Sequence, residues 1–548
     1  MNSSDFRLVR LTPTTTASSF SGGGGSFYDA NGTLQTAPPN TLRLTYDPAD
    51  LTRGPAALIE PEATNHSPNS TVQGVATGTP GTLPTGWFAS TNVPGLMRQI
   101  LGRNFDSGIE FVDIRIFGTV GAIALPEYTF QFTNVIPAAA DQVWSSSVFA
   151  RVNGGPTRIS QLQAFEHYII AFRADGTIAE ATAKATAPTH TTLRDNRLTY
   201  TRQIKAEDAV SVVHRLDLNL RNGGSYEVDV TVRIGLPQLE RDLVTSPIRT
   251  SSGAVTRAAD VVGSAAGLLY SNVPITEPDY NAASTYAKDA LVHDPVTHNV
   301  FKSLIDANKG KALTDPAAWN PRGATNRWAM FDQYNNTQTA HPEEILIVLT
   351  PQAISEGLYI GNCEADEIEL SVVDQSEGLV ASEVMSLVTA SGTSSYFDWC
   401  FRPADRSDYF VTTSLPPYAN ALVLVAIRKP GGVPKCGMLA IGGVDDFGPS
   451  LYGLSAEGKD YSSTTFNFDG TTNTELRPYA KKMSVDVQVD NGEIDYIQRK
   501  LFQIRQRPIV WIGGPYGATA VFGRYGSFKI VIPGLKKSEM ALQIEGSV

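Results

Sequence analysis

Three aromatic residues near the middle of the sequence are of the types that bind sugars. Tyr280, Tyr286 and Trp319 lie within one turn-rich stretch, residues 280–332. A flat aromatic ring joins a large apolar face to a polar edge, so it can stack on the apolar face of a sugar. The same rings could instead fill the small core of this stretch, and the dominance of aromatic side chains in cores favours that alternative. The sequence leaves both interpretations open.

Trp87 and Trp144 are two further candidate sugar-binding residues. Both lie in the N-terminal half of the chain, and Trp87 follows a Pro-Thr-Gly turn sequence. Either ring could form a platform for a sugar, but a large aromatic side chain in a β-rich domain is more often part of its core.

Other motifs do not predict a cofactor or a metal site. Residues 453–459 have the glycine and lysine spacing of a phosphate-binding loop, but Asp460 stands where a Ser or Thr would hold magnesium. The stretch has no helical pattern after it, so its backbone amides would lack a helix N-terminus. His293, Asp294 and His298 are too few for a zinc site, and Pro295 indicates a turn between them.

Catalytic residues are equally hard to find. A Gly-x-Ser-x-Gly nucleophile motif is absent. Cys363, Cys400 and Cys436 have no neighbouring histidine in the sequence and are predicted to be buried, inert thiols. Glycan hydrolysis needs two carboxyl groups across a cleft, and 55 acidic residues leave such a pair open. The densest acidic cluster, residues 364–369, alternates like the solvated face of a strand.

Composition narrows the class of protein. The 548 residues exceed one hydrophobic core, so roughly three to five domains are expected. A net charge of −11 argues against a nucleic-acid partner, since such proteins present basic surfaces. The absence of an 18-residue apolar run predicts no membrane span. A polar N-terminus without a signal peptide and only three cysteines indicate synthesis in a reducing cytoplasm without disulfides.

The elements that must position these residues are predicted to be strands. Residues 109–117, 128–132 and 226–232 alternate between apolar and polar side chains, and turn signals separate them. This spacing predicts a β-sandwich. Later runs at 345–349 and 422–427 are continuously apolar, which predicts buried strands.

One amphipathic helix is predicted over residues 491–507. Its apolar side chains recur at spacings of three and four, and Pro508 ends it. Asp490 and Glu493 have the spacing of a capping box. The stripe could meet a second copy of the chain, but two heptads are short for a coiled coil, so packing on its own sheet is favoured. The members of the stripe are Ile494, Ile497, Leu501 and Ile504.

The central stretch resembles the chitin-binding type of small carbohydrate-binding module. The resemblance rests on Tyr286, residues 288–292, residues 300–303 and the closing segment of the module, residues 316–319. Lys288 replaces a glycine that the family usually has before its acidic residue. The resemblance implies a sugar-stacking face formed by Tyr280 and Trp319, with Tyr286 behind them.

Residues 58–65 and 245–260 resemble the paired flanks of a jelly-roll module in bacteriophage tail and tail-fibre proteins. In those proteins the flanks bracket a carbohydrate-binding-like sandwich, here residues 27–262. The C-terminal part is similar to a family of phage tail proteins through residues 328–332, 396–403 and several later segments. Together these resemblances imply a virion component, with no catalytic activity implied.

The expected fold is therefore mainly β and multidomain, in five parts. These are an N-terminal attachment segment (1–56), a jelly-roll sandwich (57–262), a small chitin-binding-type module (270–325), a sandwich-like domain (326–445) and a C-terminal α+β domain (446–548) that carries the helix.

The expected function is that of a structural subunit of a phage tail tip, baseplate or fibre. It would be made in the host cytoplasm and carried in the virion. Its expected partners are other tail proteins, a second and third copy of itself in a trimer, and a host-surface glycan. The alternative is an enzyme, a tail polysaccharide depolymerase, although such enzymes usually show a repetitive β-helix and the sequence has no such period.

Overall fold

The computed structural model describes most of the chain, and the prediction of a mainly β, multidomain protein is confirmed: strands make up 52% and helix 6%. It describes residues 7–11, 19–222, 224–262, 267–334, 336–374, 377–389, 395–401, 405–466, 468, 471–475, 479–514 and 516–547, with backbone only at 7–11, 389, 398–400 and 405. The chain divides into two compact units. The sandwich unit is residues 20–262, and the C-terminal unit is residues 263–548 together with residues 1–19.

The sandwich unit contains two large antiparallel sheets. The first sheet has five strands, in the order Arg197–Gln203, Val143–Asn153, Tyr226–Arg241, Ile109–Val120 and Met97–Asp106. The second sheet has the order Ile178–Thr186, Leu162–Phe172, Ser211–Leu220, Glu127–Gln131 and Phe88–Thr91, and Ile136–Pro137 adds to its middle strand.

Alternation along these strands builds the core of the sandwich. Val112, Ile114 and Ile116 of the first sheet and Leu216 and Leu218 of the second are fully buried in one cluster. Because successive side chains of a strand point to opposite faces, the residues between them point away from this core. The core thus fixes which side chains are available on the outer faces.

Short strand pairs attach the ends of the sandwich unit to one another. The pairs are Phe20–Ser21 with Val261–Val262, Gly25–Tyr28 with Leu34–Ala37, Arg43–Thr45 with Ala56–Leu58, and Ala63–Asn65 with Val255–Arg257. The last pair joins residues 58–65 to residues 245–260. One-turn helices at Pro156–Ile159 and Leu193–Asp195 complete the unit.

A buried ion cluster holds these flanks together. Arg43 lies 2.8 Å from Glu60 and 2.5 Å from Asp260, and Arg257 lies 2.6 Å from Glu60. The four side chains are at most 9% exposed. Ser246 also donates to Glu60 from its backbone amide and its hydroxyl. Two positive and two negative groups thus compensate one another away from water.

The C-terminal unit begins with a second pair of sheets. One has the order Gly267–Ser271, Glu344–Thr350, Leu422–Arg428, Glu367–Asp374 and Gly378–Ser386, and the other Thr339–Ala340, Lys435–Gly442, Gly357–Glu364 and Tyr409–Thr412. Both sheets contribute to one core, in which Ile347, Val425, Ile360 and Leu439 are fully buried. Val388–Thr389 pairs with Asp405–Arg406, and short helices occupy Ala329–Phe331 and Tyr396–Phe401.

The central module (residues 270–325) consists of very short strands. Leu291–His293, Asn299–Ser303 and Trp319–Ala324 make a three-stranded sheet, and Thr285–Tyr286 pairs with Asn308–Lys309. Val292, Ala318 and Trp319 form its core.

A seven-stranded sheet ends the unit. Its order is Asp445–Pro449, Arg7–Leu11, Ile509–Ile512, Ala520–Val531, Lys537–Gly546, Tyr479–Asp490 and Ser455–Asp460. The strand Arg7–Leu11 therefore pairs inside the C-terminal sheet. A separate hairpin joins Ser463–Phe466 to Thr472–Glu475, and one 3-10 turn lies at Gly517–Thr519.

The amphipathic helix packs on this sheet, as predicted, but its ends differ from the prediction. A 3-10 turn at Asn491–Glu493 precedes the α-helix Ile494–Gln503. Ile497 and Leu501 are buried against the sheet. The predicted capping box is wrong: Asp490 makes no side-chain cap and pairs with Lys537 at 2.8 Å. The α-helix ends at Gln503, before Pro508, and Gln506 in the turn that follows has a left-handed backbone, with φ 63°.

The acidic cluster at residues 364–369 differs from the predicted solvated strand face, because one of its carboxylates is buried. Glu369 is 6% exposed and lies 2.7 Å from Arg428, which also pairs with Glu344 and Glu367. These carboxylates share one cation on the sheet, which is a structural use of the charges.

Candidate functional site

The three aromatic side chains of the central module contact one another. The Tyr280 and Tyr286 rings are stacked, with centroids 6.1 Å apart. Trp319 meets both rings edge to face, at 5.7 and 5.5 Å. The geometry is that of a small aromatic cluster, with edge-to-face contacts of the kind that favour ring packing.

Burial distinguishes the three rings. Trp319 is 1% exposed, and its indole Nε1 donates to the Lys311 carbonyl oxygen at 3.1 Å. Tyr280 and Tyr286 are half-buried. Tyr280 Oη donates to the same Lys311 carbonyl at 2.6 Å. Trp319 therefore supports the cluster from within, and sugar contact in this module is left to the two tyrosines as a prediction.

Trp87 and Trp144 lie in the interior of the sandwich unit. Trp87 is 5% exposed, packs edge to face on Phe132 at 4.7 Å, and donates from Nε1 to the Asn69 carbonyl. Trp144 is 1% exposed and packs against His66 at 5.4 Å. Neither indole presents a ring face to solvent, so both act as core residues, which is the alternative that the sequence favours.

The outer face of the second sheet presents a different set of side chains. Register pairing across five neighbouring strands places one row of residues side by side: Ala183, Tyr168, Arg215, Gln131 and Phe88. A second row lies beside it: Ala185, Glu166, Asp217, Thr129 and Ser90. We call these two rows the Tyr168 face.

Contacts within the Tyr168 face hold its side chains in place. The Tyr168 hydroxyl donates to Glu166 Oε2 at 2.6 Å. The Arg215 guanidinium lies 4.8 Å from the Tyr168 ring centroid and pairs with Asp217 at 2.8 Å. Cation–π contact and hydrogen bonding together reduce the freedom of the ring before any ligand arrives.

Two of the five side chains in the first row are aromatic, and Phe88 lies at one end of the row. Tyr168 is half-buried and Phe88 is 48% exposed. Three strand spacings separate them, or about 14 Å. The neighbour on the outer side of Tyr168 is Ala183, whose methyl group cannot cover the ring. Arg215 and Gln131 lie between the two aromatic side chains and supply polar groups.

Burial changes the acid–base behaviour of this face. It raises the pKa of Asp217 from an ordinary 3.8 to about 7, and the Arg215 guanidinium opposes that shift without cancelling it. Burial and the hydrogen bond with Glu166 also raise the pKa of Tyr168. Near neutral pH the Asp217 carboxyl therefore exchanges between a charged and an uncharged form.

The histidines and acids of the predicted loop are used structurally. His293 Nε2 lies 3.3 Å from Asp279 Oδ1, and His298 stacks on Trp328 at 3.9 Å. In the part of the chain that the structure describes, no group of three or more His, Cys, Asp or Glu is placed to hold a metal ion. Residues 455–460, which overlap the glycine–lysine motif at residues 453–459, form a strand rather than a helix.

Sequence reasoning missed the Tyr168 face, although part of its signal was present. Tyr168 lies in the strand Leu162–Phe172, and alternation along this strand places it on the face opposite the buried Ile169. The apolar and polar pattern of a single strand does not give the register that places Tyr168 beside Arg215. That register depends on which strands pair, and single-strand patterns do not specify pairing.

Comparisons with known proteins leave the family of this chain open. No protein-family model matches the sequence, and no curated protein matches it. Among the described residues, no helix is both long and apolar enough to cross a bilayer.

Some solved structures align at low similarity. Arabinose-bound MgGH51 α-L-arabinofuranosidase aligns at 11% identity and TM-score 0.23, over 33% of this chain and 27% of that chain. The CBM22-1 xylan-binding domain of Paenibacillus barcinonensis Xyn10C aligns at 11% and 0.20, over 33% and 94%. A family 11 carbohydrate-binding module from Clostridium thermocellum, in complex with a β-1,3-1,4-mixed-linked tetrasaccharide, aligns at 9% and 0.20, over 34% and 98%. This chain thus spans only about a quarter of the first of these proteins.

Proposed function

We propose that the protein is a structural subunit of a bacteriophage tail tip, baseplate or fibre that binds host-surface glycans through the Tyr168 face. The observation that carries the glycan part is the row from Tyr168 to Phe88, in which two aromatic rings flank polar side chains on an open sheet face. Rings of this kind stack on sugars, while Arg215, Gln131 and Glu166 offer hydrogen bonds to hydroxyl groups.

Support for the virion part comes from the sequence. Residues 58–65 and 245–260 resemble the flanks of tail-protein modules, and the pairing of Ala63–Asn65 with Val255–Arg257 is consistent with flanks that bracket one sandwich. A mainly β chain that buries ion pairs such as Arg43 with Asp260 also suits a structural subunit. Assembly as a trimer belongs to the same proposal.

Glu166 and Asp217 give the depolymerase alternative its most specific support. They are register partners on the Tyr168 face, and a carboxyl with a raised pKa suits a general acid. The Asp217 side chain is 0% exposed, however, so it does not reach a glycosidic oxygen. We therefore propose binding without hydrolysis, and release of reducing sugar from a bound polysaccharide would overturn that choice.

Replacing Tyr168 by alanine is expected to weaken glycan binding about tenfold, because losing a stacked ring costs on the order of 1.5 kcal/mol. The measurement is binding of the full chain to an array of bacterial surface oligosaccharides. Phe105→Ala is the matched control, since Phe105 is 64% exposed on the edge strand of the other sheet. It should bind like the unaltered protein.

A double variant, Tyr280→Ala with Tyr286→Ala, separates the two candidate surfaces on the same array. Loss of binding in the double variant with full binding by Tyr168→Ala would move the site to the central module. Equal binding by all the variants and the unaltered protein would contradict aromatic stacking at either surface.

The virion assignment predicts that the chain is found in assembled particles. Antibodies raised against the protein should label one end of phage particles from a lysate that contains its gene, and mass spectrometry of purified particles should detect its peptides. Detection only in the soluble fraction of the host would contradict the assignment and leave the glycan result unaffected.

A further inference from the structure

Two buried cysteines face each other across neighbouring strands of the C-terminal unit. Cys363 lies in Gly357–Glu364 and Cys436 in Lys435–Gly442, and the two are direct register partners. They are 4% and 0% exposed, both thiols are free, and both side chains belong to the same core cluster. Neither has a part in the Tyr168 face or in the central module.

The hydrogen-bond pattern identifies the kind of pair they form. The Cys363 amide donates to the Asp408 carbonyl at 2.9 Å, on the side of its strand away from Cys436. The two cysteines are therefore a non-hydrogen-bonded pair, in which facing Cα atoms are about 4.5 Å apart and side chains come closest. A disulfide needs a Cα separation of about 4.4–6.8 Å, so the backbone already has the required spacing.

We propose that Cys363 and Cys436 form a disulfide when the protein meets an oxidising medium that contains a small-molecule disulfide. One cysteine attacks that disulfide as a thiolate and releases one small thiol. The other cysteine then attacks the mixed disulfide and releases the second. Two protein thiols are oxidised, one small disulfide is reduced to two thiols, and the two protons pass to the released thiolates.

The surroundings set the rate of this reaction. Burial raises the pKa of Cys363 to about 12 and that of Cys436 well above its ordinary value, so little thiolate exists at neutral pH. Both residues are one position from a strand end, beside the partly exposed ion pair of Glu364 and Lys435 at 3.1 Å. Fraying of this end admits the oxidant, which makes formation slow and the product protected.

The cross-link would constrain the C-terminal unit. It closes a loop of 74 residues, counted from 363 to 436 inclusive, and ties two adjacent strands of the four-stranded sheet. A closed loop of this length restricts the unfolded chain, so the oxidised protein should unfold at a higher temperature than the reduced one.

The test uses the full chain with Cys400→Ser, which leaves only this pair among the three cysteines. After incubation with oxidised glutathione below the unfolding temperature, the denatured protein should show no free thiols instead of two. Its mass should fall by two hydrogens with no glutathione adduct, and a peptide map should join Cys363 to Cys436. Dithiothreitol should restore both thiols and lower the unfolding temperature again.

The matched control adds Cys436→Ala to the same background. It keeps one thiol, so its mass should stay constant or rise by one glutathione, and its unfolding temperature should not respond to dithiothreitol. Two thiols that remain free in the Cys400→Ser protein after prolonged oxidation, or products that are only glutathione adducts or cross-linked dimers, would overturn the proposal.

Discussion

Replacing Asp260 by asparagine is expected to lower the free energy of unfolding of the sandwich unit by about 3–5 kcal/mol, the usual cost of breaking a buried ion pair. Asparagine keeps the shape of the side chain but removes one of the two negative charges in the buried cluster. Arg43, which is 0% exposed, then keeps a full charge with one carboxylate fewer. Domain stabilities are about 5–15 kcal/mol, so the loss is a large fraction of the total.

The measurement is denaturant unfolding of the full chain, with hydrogen exchange and mass spectrometry to assign each transition to residues 20–262 or to the C-terminal unit. Asp208→Asn is the matched control. Asp208 pairs with Arg173 at 2.5 Å, but the two side chains are 57% and 38% exposed. An exposed pair of this kind contributes about 0–1 kcal/mol, so the same chemical change should have little effect there.

A double variant examines whether the cost comes from the uncompensated charge. Arg43→Met with Asp260→Asn removes one charge of each sign, so it should be more stable than Asp260→Asn alone. Equal small effects for Asp260→Asn and Asp208→Asn, or a double variant less stable by the full sum of both single changes, would contradict the role of the cluster.

The sequence predicts several strands of the sandwich, because each of these strands carries its own local signal. Residues 109–117 alternate over their whole length, and the structure places a strand at Ile109–Val120. The helix stripe of Ile497 and Leu501 is equally local, since its apolar spacing belongs to one segment. The predicted capping box at Asp490 is wrong because this side chain pairs with Lys537 instead. Lys537 is 47 residues away in the sequence, so a local pattern cannot reveal it.

The candidate site was harder to predict because it depends on pairing and burial. Aromatic residue types marked Trp87, Trp144 and Trp319, but type alone does not say which side of a sheet a ring occupies. All three are at most 5% exposed. Tyr168 became a candidate only when its neighbours across the sheet were known, and the pair of Cys363 and Cys436 depends on register in the same way.

Acid is expected to destabilise the sandwich unit through two histidines in its core. Ser67 Oγ lies 2.6 Å from His214 Nε2, and Ser146 Oγ lies 2.6 Å from His214 Nδ1 and 2.7 Å from His167 Nε2. Burial lowers the pKa of His167 to about 3, with a smaller effect from Lys184, and lowers that of His214 well below 6.5. Both rings are therefore neutral in the folded protein.

The direction of the pH effect follows from these shifts. When the pKa in the folded protein is below that in the unfolded chain, the unfolded chain binds the proton first. The stabilising contribution of the two neutral histidines is therefore fully present above pH 6.5 and is lost as the pH falls. Each histidine loses about 1.4 kcal/mol per pH unit, so His167 alone accounts for about 2.7 kcal/mol at pH 4.5. Asp217 acts oppositely: its pKa is raised to about 7, so its contribution grows as the pH falls from 7 towards 3.8.

Because the raised pKa of Asp217 masks part of this loss of stability, the effect of His167 is measured as a difference between two proteins. Between pH 7.5 and 4.5 the unaltered chain should lose about 2.7 kcal/mol more unfolding free energy in the sandwich unit than His167→Gln does. Asp217 and His214 contribute to both proteins and largely cancel. His190→Gln changes an exposed ring and should follow the unaltered protein.

The protonation state of His167 can also be measured directly in the unaltered protein, so the test does not depend on whether the variant folds. In NMR spectra of the unaltered protein, the His167 ring signals should stay in their neutral positions from pH 8 down to the point of acid unfolding. A His167 ring that titrates near 6.5 while the sandwich unit remains folded, or identical acid losses for the unaltered protein and a folded His167→Gln, would show that the buried chain of serines and histidines does not set the acid limit of this unit.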